Sequence, residues 1–471
     1  MNNIFKNIIS GIALTAVLTG CGDFLEESSQ DEIKPTTTED LAAVLYSDAY
    51  PHLFSSDNYL ILLTDEVQCN GIKHENYTDR FRLGEPIFCF DKEMADGNKS
   101  FIEDENSWKN WYSLIMGCNV VLDNVDDMTG SETEKTHIKG QATLLRAYYY
   151  MRLAMVYAQP YRINPEQNLG VTLITTSNVS DTEPARSTVK QTYDFIESEL
   201  IKASELLADY VPTTKYRVTK TMADILLARL YLYEEKWDKA IEYADTAIKE
   251  GPALTDFNNL PSTANIFVTS GSSEVVWNYE GRYSYSPYIN SNTMQAGMLP
   301  YTLSTSTMGL YDQENDIRYR KYISASTYYG SYVMKIEYAT QYDGEHGIRM
   351  AEAYLTRAEA YAAKGDKAKA LADLNALRET RYTIGTYTPL TTGNTDNIMQ
   401  TVLDERQREF VWEEGLRWMD IKRHGIVITH TFIDEEGNSK DYTLQKDDPL
   451  YALPIPHDAI SRNKNLVQNP R

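Results

Sequence analysis

Sliding the chain against itself by 128 residues lays 223–248 (ADILLARLYLYEEKWDKAIEYADTAI) on 351–376 (AEAYLTRAEAYAAKGDKAKALADLNA) without a gap. Ten positions coincide, among them Ala223/Ala351, Arg229/Arg357, Tyr233/Tyr361, Asp238/Asp366 and Ala240/Ala368. Each copy reads as a helix, a tight turn at EEKWD or AKGDK, and a second helix. Helix pairs of this kind cannot bury their apolar faces alone, so they must stack. Small residues at Ala240 and Ala244, overlaid on Ala368 and Ala372, predict close approach of the paired helices, with Tyr233 or Tyr361 filling the gap beside them. The second copy carries Gly365 where the first has Trp237, a less bulky turn.

Both copies resemble the tetratricopeptide repeat. A further helix is predicted over 139–157, where Ala142, Leu145, Tyr149, Leu153 and Val156 recur at spacings of three and four, and 188–209 continues the pattern. The texture then changes. Residues 252–349 hold Pro252, Pro261, Pro287 and Pro300 with many Ser, Thr and Asn; 58–106 and 380–398 are similarly irregular. SSEVVWNYE (272–280) reads as a short strand, and ITHTFI (428–433) with YTLQ (442–445) reads as a hairpin around Asp434–Asp441. The expected fold is mostly α: tetratricopeptide-like helix-pair repeats forming a superhelical scaffold, with long irregular loops and a few short β-hairpins. Helical repeats are placed at about 107–125, 138–209, 219–250 and 347–380. The loop-rich, ligand-binding regions are placed at about 58–106 and 252–346, on the reasoning that a helical frame leaves specificity to its loops.

The N-terminus carries an address. Residues 1–20 hold one charge, Lys6, then an apolar run from Ile8 to Leu18 that ends in Leu18-Thr19-Gly20-Cys21. This is too short for the ~20 apolar residues of a membrane-spanning helix and reads as a cleaved export signal. It resembles the bacterial lipobox, which implies that Cys21 is acylated and becomes the mature N-terminus, tethering residues 21–471 as one domain. Two or more acyl chains give stable anchoring at roughly 0.8 kcal/mol per buried methylene. Asp23, Glu26 and Glu27 then follow, which looks like a surface-export signal of Bacteroidetes lipoproteins.

The net charge of −23 makes nucleic acid an unsuitable partner, because binding a polyanion requires counter-charge. Three cysteines remain beyond Cys21, an odd number that excludes a complete disulfide framework; Cys69 and Cys89 could pair across one loop. Seven histidines are scattered singly, and no nucleophile elbow, His-Glu-x-x-His, phosphate loop or EF-hand loop is present, so no cofactor and no metal site are expected. Asp123, Asp126 and Asp127 lack calcium-ligand spacing and read as a solvated helix end. In ERQREFVWEEGLRWMDIKRHG (405–425), Glu405, Glu409 and Arg406 lie within a turn or two of one another, and Glu414, Arg417 and Asp420 follow at spacings of three. This predicts interleaved ion pairs, roughly 0.2–0.5 kcal/mol each when exposed, rather than a catalytic carboxylate pair, because every acid has an arginine at hand.

Taken together, the lipobox, helix-pair repeats and loop-rich insertions resemble the SusD/RagB family of outer-membrane lipoproteins. Matching segments are FLEESSQDEIKPTTTEDLAAVLYSDAYP near the N-terminus, WKNWYSLIMGCNVVLDNVD from Trp108, the helix at 405–425 with its Glu-Gly-x-Arg and Asp-x-x-Arg, and LPIPHDAISRNKNLVQNP (453–470). His424 departs from the Trp common before the glycine. The resemblance implies a non-catalytic, lipid-anchored surface protein of the outer membrane that captures oligosaccharides and delivers them to a partner SusC-like TonB-dependent transporter. An oligopeptide-binding, RagB-like role is the alternative within the family. A surface glycoside hydrolase is the alternative from another class.

Sugars present flat apolar faces edged with hydroxyls, so binding without reaction calls for aromatic platforms plus a few hydrogen-bonding groups. The chain has 35 tyrosines, and two loops offer that mixture. CNGIKHENYTDRFR supplies Asn70, His74, Tyr77, Arg80 and Phe81; NYEGRYSYSPYINSN supplies Tyr279, Arg282, Tyr283, Tyr285, Tyr288 and Asn290, with Tyr328 and Tyr329 downstream. Glycan-binding family members build platforms from the same two regions, a correspondence of region only. The expected contact set is Tyr77, Arg80, Phe81, Tyr279, Tyr283, Tyr285, Tyr288, Asn290 and Tyr329. Trp108, Trp111, Trp237, Trp412 and Trp418 read as core, and Trp277 could serve either role.

Overall fold

The computed structural model describes residues 35–51, 57–96, 100–102, 106–178, 183–260, 271–279, 299–325, 332–334 and 346–471. Twelve of its helices organise it: α1 (Thr38–Val44), α2 (Thr78–Phe88), α3 (Ser107–Asn124), α4 (Glu132–Tyr157), α5 (Val189–Leu206), α6 (Lys220–Tyr233), α7 (Trp237–Glu250), α8 (Ile317–Tyr322), α9 (Met350–Ala363), α10 (Lys367–Glu379), α11 (Ile398–Glu409) and α12 (Leu416–His424), with short helical turns at Thr305–Met308 and His457–Arg462 besides. Their starts are written into the sequence. Thr37 with Asp40, Ser131 with Glu134, and Thr188 with Gln191 form reciprocal capping boxes that satisfy otherwise orphaned N–H groups of α1, α4 and α5.

The helices stack in sequence, α3 on α4, α4 on α5, α5 on α6, α6 on α7, α7 on α9 and α9 on α10, the helix-pair repeat expected above. Helix α4 is the centre. It is buried all round from Gly140 to Tyr157, not along one stripe, because α3 and α5 cover both of its sides. Trp111 of α3 stacks on Tyr149 with ring centroids 5.5 Å apart, and Gly117 lets α3 approach so closely that a Cβ there would stand 2.1 Å from the Asp48 carbonyl oxygen.

The repeat is real, but its structural register is not the gapless overlay. Helices α6 and α7 end and begin at Tyr233 and Trp237; α9 and α10 do so at Ala363 and Lys367, an offset of 130. The turn residues with positive φ, Glu235 (60°) and Gly365 (79°), show the same offset. Ala240 therefore corresponds to buried Ala370, whereas Ala368 and Ala372 are exposed and cannot mediate the close approach expected of them. Arg229 and Arg357 are likewise not equivalent. Arg229 is buried and donates to Glu352 (Nη2 to Oε2, 2.7 Å), while Arg357 donates to Asp373 (2.6 Å).

Eight short strands complete the described part: β1 (Val67–Cys69), β2 (Val275–Tyr279), β3 (Tyr301–Leu303), β4 (Ile323–Ala325), β5 (Tyr332–Met334), β6 (His346–Arg349), β7 (Ile428–Ile433) and β8 (Ser439–Leu444). They form an antiparallel sheet ordered β1-β3-β5-β4, a β2–β6 ladder, and the β7–β8 hairpin. The hairpin pairs Ile433 with Ser439, so β8 starts earlier and the turn is shorter than expected. Region 58–106 is also more ordered than its composition suggests, since α2 and the turn at Asn58–Leu63 bury Phe81, Phe88, Tyr59 and Leu62. Cys69, Cys89 and Cys118 are buried free thiols, which corrects the possible Cys69–Cys89 pairing. Among the described residues no helix is long and apolar enough to cross a membrane.

Candidate functional site

One of the two loops singled out above, the Asn70–Arg80 stretch, forms a ledge against β3. Segment 280–298 joins Tyr279, the last residue of β2, to Leu299 just before β3. Beside its far end, the Asn70 N–H donates to the Pro300 carbonyl (2.7 Å), Asn70 Nδ2 donates to Thr302 Oγ1 (2.8 Å), and the Tyr301 hydroxyl donates to the Phe81 carbonyl (2.9 Å). The Asn70–Arg80 stretch thus lies against the strand into which segment 280–298 feeds. Next to it, the Arg80 guanidinium carbon lies 5.2 Å from the centre of the Tyr77 ring, and His74 packs edge-on to the same ring at 6.3 Å.

The structure redistributes the expected contacts. Phe81 is core: its ring stacks on Phe432 at 5.1 Å and on Tyr301 at 6.2 Å, leaving no face for a sugar. Tyr279 is core too. Its hydroxyl donates to Glu414 Oε1 (3.1 Å) and lies 3.3 Å from that of Tyr148, so the phenol is spent on the frame. Tyr77 is 7% exposed and offers at most a ring edge, while Arg80 is half-buried over it. Asn70 uses its amide to position the ledge. Tyr283, Tyr285, Tyr288, Asn290 and Tyr329 lie outside the described residues, as do Arg282 and Tyr328. Trp277 is fully buried and resolves to core, with Trp111 and Trp418.

What holds the loop roots is a buried ionic network that sequence spacing did not reveal. Glu274, immediately before β2, accepts from Arg349 of β6 (3.0 Å) and from Arg381 (2.9 Å). Glu409, the last residue of α11, accepts from Arg318 (2.7 Å) and Arg381 (2.7 Å), and also pairs with Arg349; Glu405 accepts from Arg318 and Arg408, both at 2.7 Å. Glu414 accepts from Arg152 of α4 (2.9 Å), the Tyr148 hydroxyl (2.7 Å) and the Gly347 N–H (3.1 Å). The expected along-helix pairs are present at Glu405–Arg408 and Asp420–Arg423, and most of the other pairings join distant elements. Arg417 turns to Asp65 (2.6 Å) rather than Glu414, because Glu414 precedes α12 with φ 52°.

Burial penalises every carboxylate in this network, and the arginines decide the outcome. For Glu405 and Glu409 they outweigh burial and hold the groups well below the usual carboxylate range. Glu414 is held at about 2, with Arg152 and His346 overcoming its burial. Glu413 goes the other way, pushed up to about 7 by burial and by its neighbours Glu409 and Glu414 despite Arg349. Unequal neighbouring carboxyls are a pattern of acid–base catalysis, but all four are buried and bonded to arginines, which suits a lock and not a reaction centre. His424, the departure from the family pattern, donates from Nε2 to Glu359 Oε1 at 2.8 Å. Asp123 is occupied by Ser177 N–H (2.6 Å) and Thr176 Oγ1 (2.9 Å), and Asp126 by Lys139 (2.7 Å). Among the described residues no group of three or more His, Cys, Asp or Glu side chains is placed to hold a metal.

Two family models tile this architecture. One, described as starch-binding associating with outer membrane, matches residues 23–232; the other, the SusD family, matches residues 275–471. The chain belongs to the SusD/RagB family. SusD-like protein P25 of Formosa agariphila is 21% identical over 542 aligned residues, covering 98% of each chain. Starch-binding protein SusD of Bacteroides thetaiotaomicron is 34% identical over 128 residues, which span 26% of this chain and 20% of that one. Among solved structures, a sugar-binding protein so described from Bacteroides vulgatus superposes with TM-score 0.76 at 26% identity, covering 93% of this chain and 99% of that one. A SusD superfamily protein from Bacteroides thetaiotaomicron gives 0.71 at 22% identity, covering 93% and 100%. In this SusD/RagB chain most of the ionic lock lies within the C-terminal match, with Glu274 just before it and Arg152 in the N-terminal match, which also holds the Asn70–Arg80 ledge.

Proposed function

We propose that this SusD/RagB protein is a non-catalytic surface lipoprotein of the outer membrane, acylated at Cys21, that captures oligosaccharides and passes them to a SusC-like TonB-dependent transporter. The leader is residues 1–20 and the binding domain residues 21–471. The family match supports it most directly, since the model over residues 23–232 is described as starch-binding and outer-membrane associated. The geometry is consistent: the frame fixes Tyr279 and Leu299, the residues that flank the tyrosine-rich segment in the chain, and a ledge bearing Tyr77 and Arg80 lies against the strand that follows it. Binding without reaction asks for that combination, and capture raises the local concentration of ligand over the pore.

The decisive experiment compares wild type with Tyr283→Ala and Tyr285→Ala on a panel of maltoheptaose, cellohexaose and laminarihexaose. Weaker binding at an unchanged melting temperature is expected. Full binding in both variants would retire those rings as platforms. Release of reducing ends on incubation would show turnover and overturn the non-catalytic reading, and recovery from solubilised membranes without a TonB-dependent receptor would remove the partner.

A further inference from the structure

A cleft of about 860 Å³ opens between the turn joining α5 to α6 and the edge of β2 that faces away from β6. Ligand pockets run roughly 300–1,000 Å³. Its walls belong to the repeat frame and to the start of β2, and none of its residues takes part in the ledge or the ionic lock described above.

Three features of the cleft bear on what it takes. Tyr210 and Tyr216 stand in its wall beside Val211, which is 86% exposed, so substantial apolar surface is left open to solvent. Tyr210 is held in place, one neighbour being the His137 ring at 4.9 Å. Hydroxyls from Thr213 and Thr214 line the same wall, giving aromatic faces edged with small donors and acceptors.

The charges of the cleft are already committed. Lys220 donates to Asp224 (2.8 Å) and Glu250 (2.7 Å), and the Lys215 ammonium is bonded to the Ser272 carbonyl. An ionic ligand would have to displace these bonds, whereas a neutral, hydroxyl-rich one need not. On the strand side, the register shift between Val275 and Trp277 presents two consecutive residues, Val275 and Val276, to the cleft. Two residues further, the Asn278 backbone N–H donates to the Lys215 carbonyl of the opposite wall (2.9 Å), which fixes the strand against that turn.

We propose that this cleft is a second carbohydrate subsite, taking a neutral run of pyranose units independently of the ledge at Asn70–Arg80. It rests on the glycan reading above and extends it to a second place on the molecule.

Calorimetric titration of the full chain with maltoheptaose, cellohexaose and laminarihexaose tests it, with oligogalacturonate as the charged comparison. Two binding events per chain are expected with a neutral probe. Tyr210→Ala combined with Tyr216→Ala should remove one, weakening it about tenfold or more, and leave the other; Tyr283→Ala with Tyr285→Ala should do the reverse. Where the first pair lowers the melting temperature, Val211→Glu, at an exposed position, serves instead and should produce the same selective loss. A single event, unaffected by the cleft variants, overturns the second subsite and leaves the capture reading standing. Tight binding of oligogalacturonate in the cleft overturns its neutrality, and absence of binding to every probe overturns both readings.

Discussion

Arg349 closes on Glu413 through two parallel hydrogen bonds, Nε to Oε1 at 2.7 Å and Nη2 to Oε2 at 2.8 Å. The same guanidinium also reaches Glu274 and Glu409, so one side chain ties β6, the start of β2 and the end of α11. Arg349→Met would strand buried Glu413 without its arginine and take one counter-charge from Glu274 and Glu409, which keep Arg381. A loss of roughly 3–5 kcal/mol is expected, read as a fall in the urea midpoint of unfolding. Arg349→Lys should recover only part of it, because a point charge cannot reproduce the fork. An unchanged midpoint in Arg349→Met would show that the network does not carry the frame.

Lys422 makes stability depend on alkaline pH. Burial pushes its amine down from 10.5 to about 7, and Nζ donates to the carbonyls of Met155 (2.7 Å) and Ala158 (2.8 Å), which a neutral amine also satisfies. Between about pH 7 and 10 the unfolded chain holds a proton that the folded chain has shed, so stability from this group rises with pH, by at most about 1.4 kcal/mol per unit. Buried tyrosines oppose it only above pH ~10. Unfolding free energies from pH 7 to 9.5 should therefore climb more steeply in wild type than in Lys422→Met. Equal slopes would assign the ammonium form to the folded state.

The 130-residue register separates two alanines that the sequence overlay treats as mates of Ala240. Ala370→Leu should overpack the α9–α10 contact and cost roughly 1–3 kcal/mol, whereas Ala368→Leu, on an exposed surface, should change thermal stability little. The reverse ranking would restore the gapless alignment.

Burial pushes all three described thiols up, that of Cys89 to about 12, and none is paired. Native protein treated with maleimide at pH 7 should remain unlabelled at Cys69, Cys89 and Cys118, and all three should react in denaturant, as intact-mass spectrometry would record. A mass short by two hydrogens before reduction would reveal a disulfide.

Much of this frame is legible in the chain. Helix α4 follows from its spacing, although it starts at Glu132 and not at Lys139, and the β7–β8 hairpin follows from its strand runs around a turn. The repeat shows as a pair of helix hairpins, but its register does not, because the second copy carries Ala368, Ala370 and Ala372 two residues apart and identity alone does not say which of them faces inward. The ledge is half legible: Tyr77, Arg80 and Phe81 are near one another, yet the burial of Phe81 depends on Phe432 and Tyr301, hundreds of residues away. Tyr279 misleads for the same reason, its acceptor Glu414 lying 135 residues on. Arg318, Arg349 and Arg381 carry no local pattern at all. Their role emerges only when the fold brings them to Glu405 and Glu409.

The β2–β6 ladder has one more implication. With Glu274 and Arg349 fastened at its base, lengthening segment 280–298 raises only the entropy of closing a loop, about 0.6 kcal/mol for each doubling. Such a chassis can be refitted for different cargo by rewriting what hangs between two fixed posts, while the masonry behind them goes untouched.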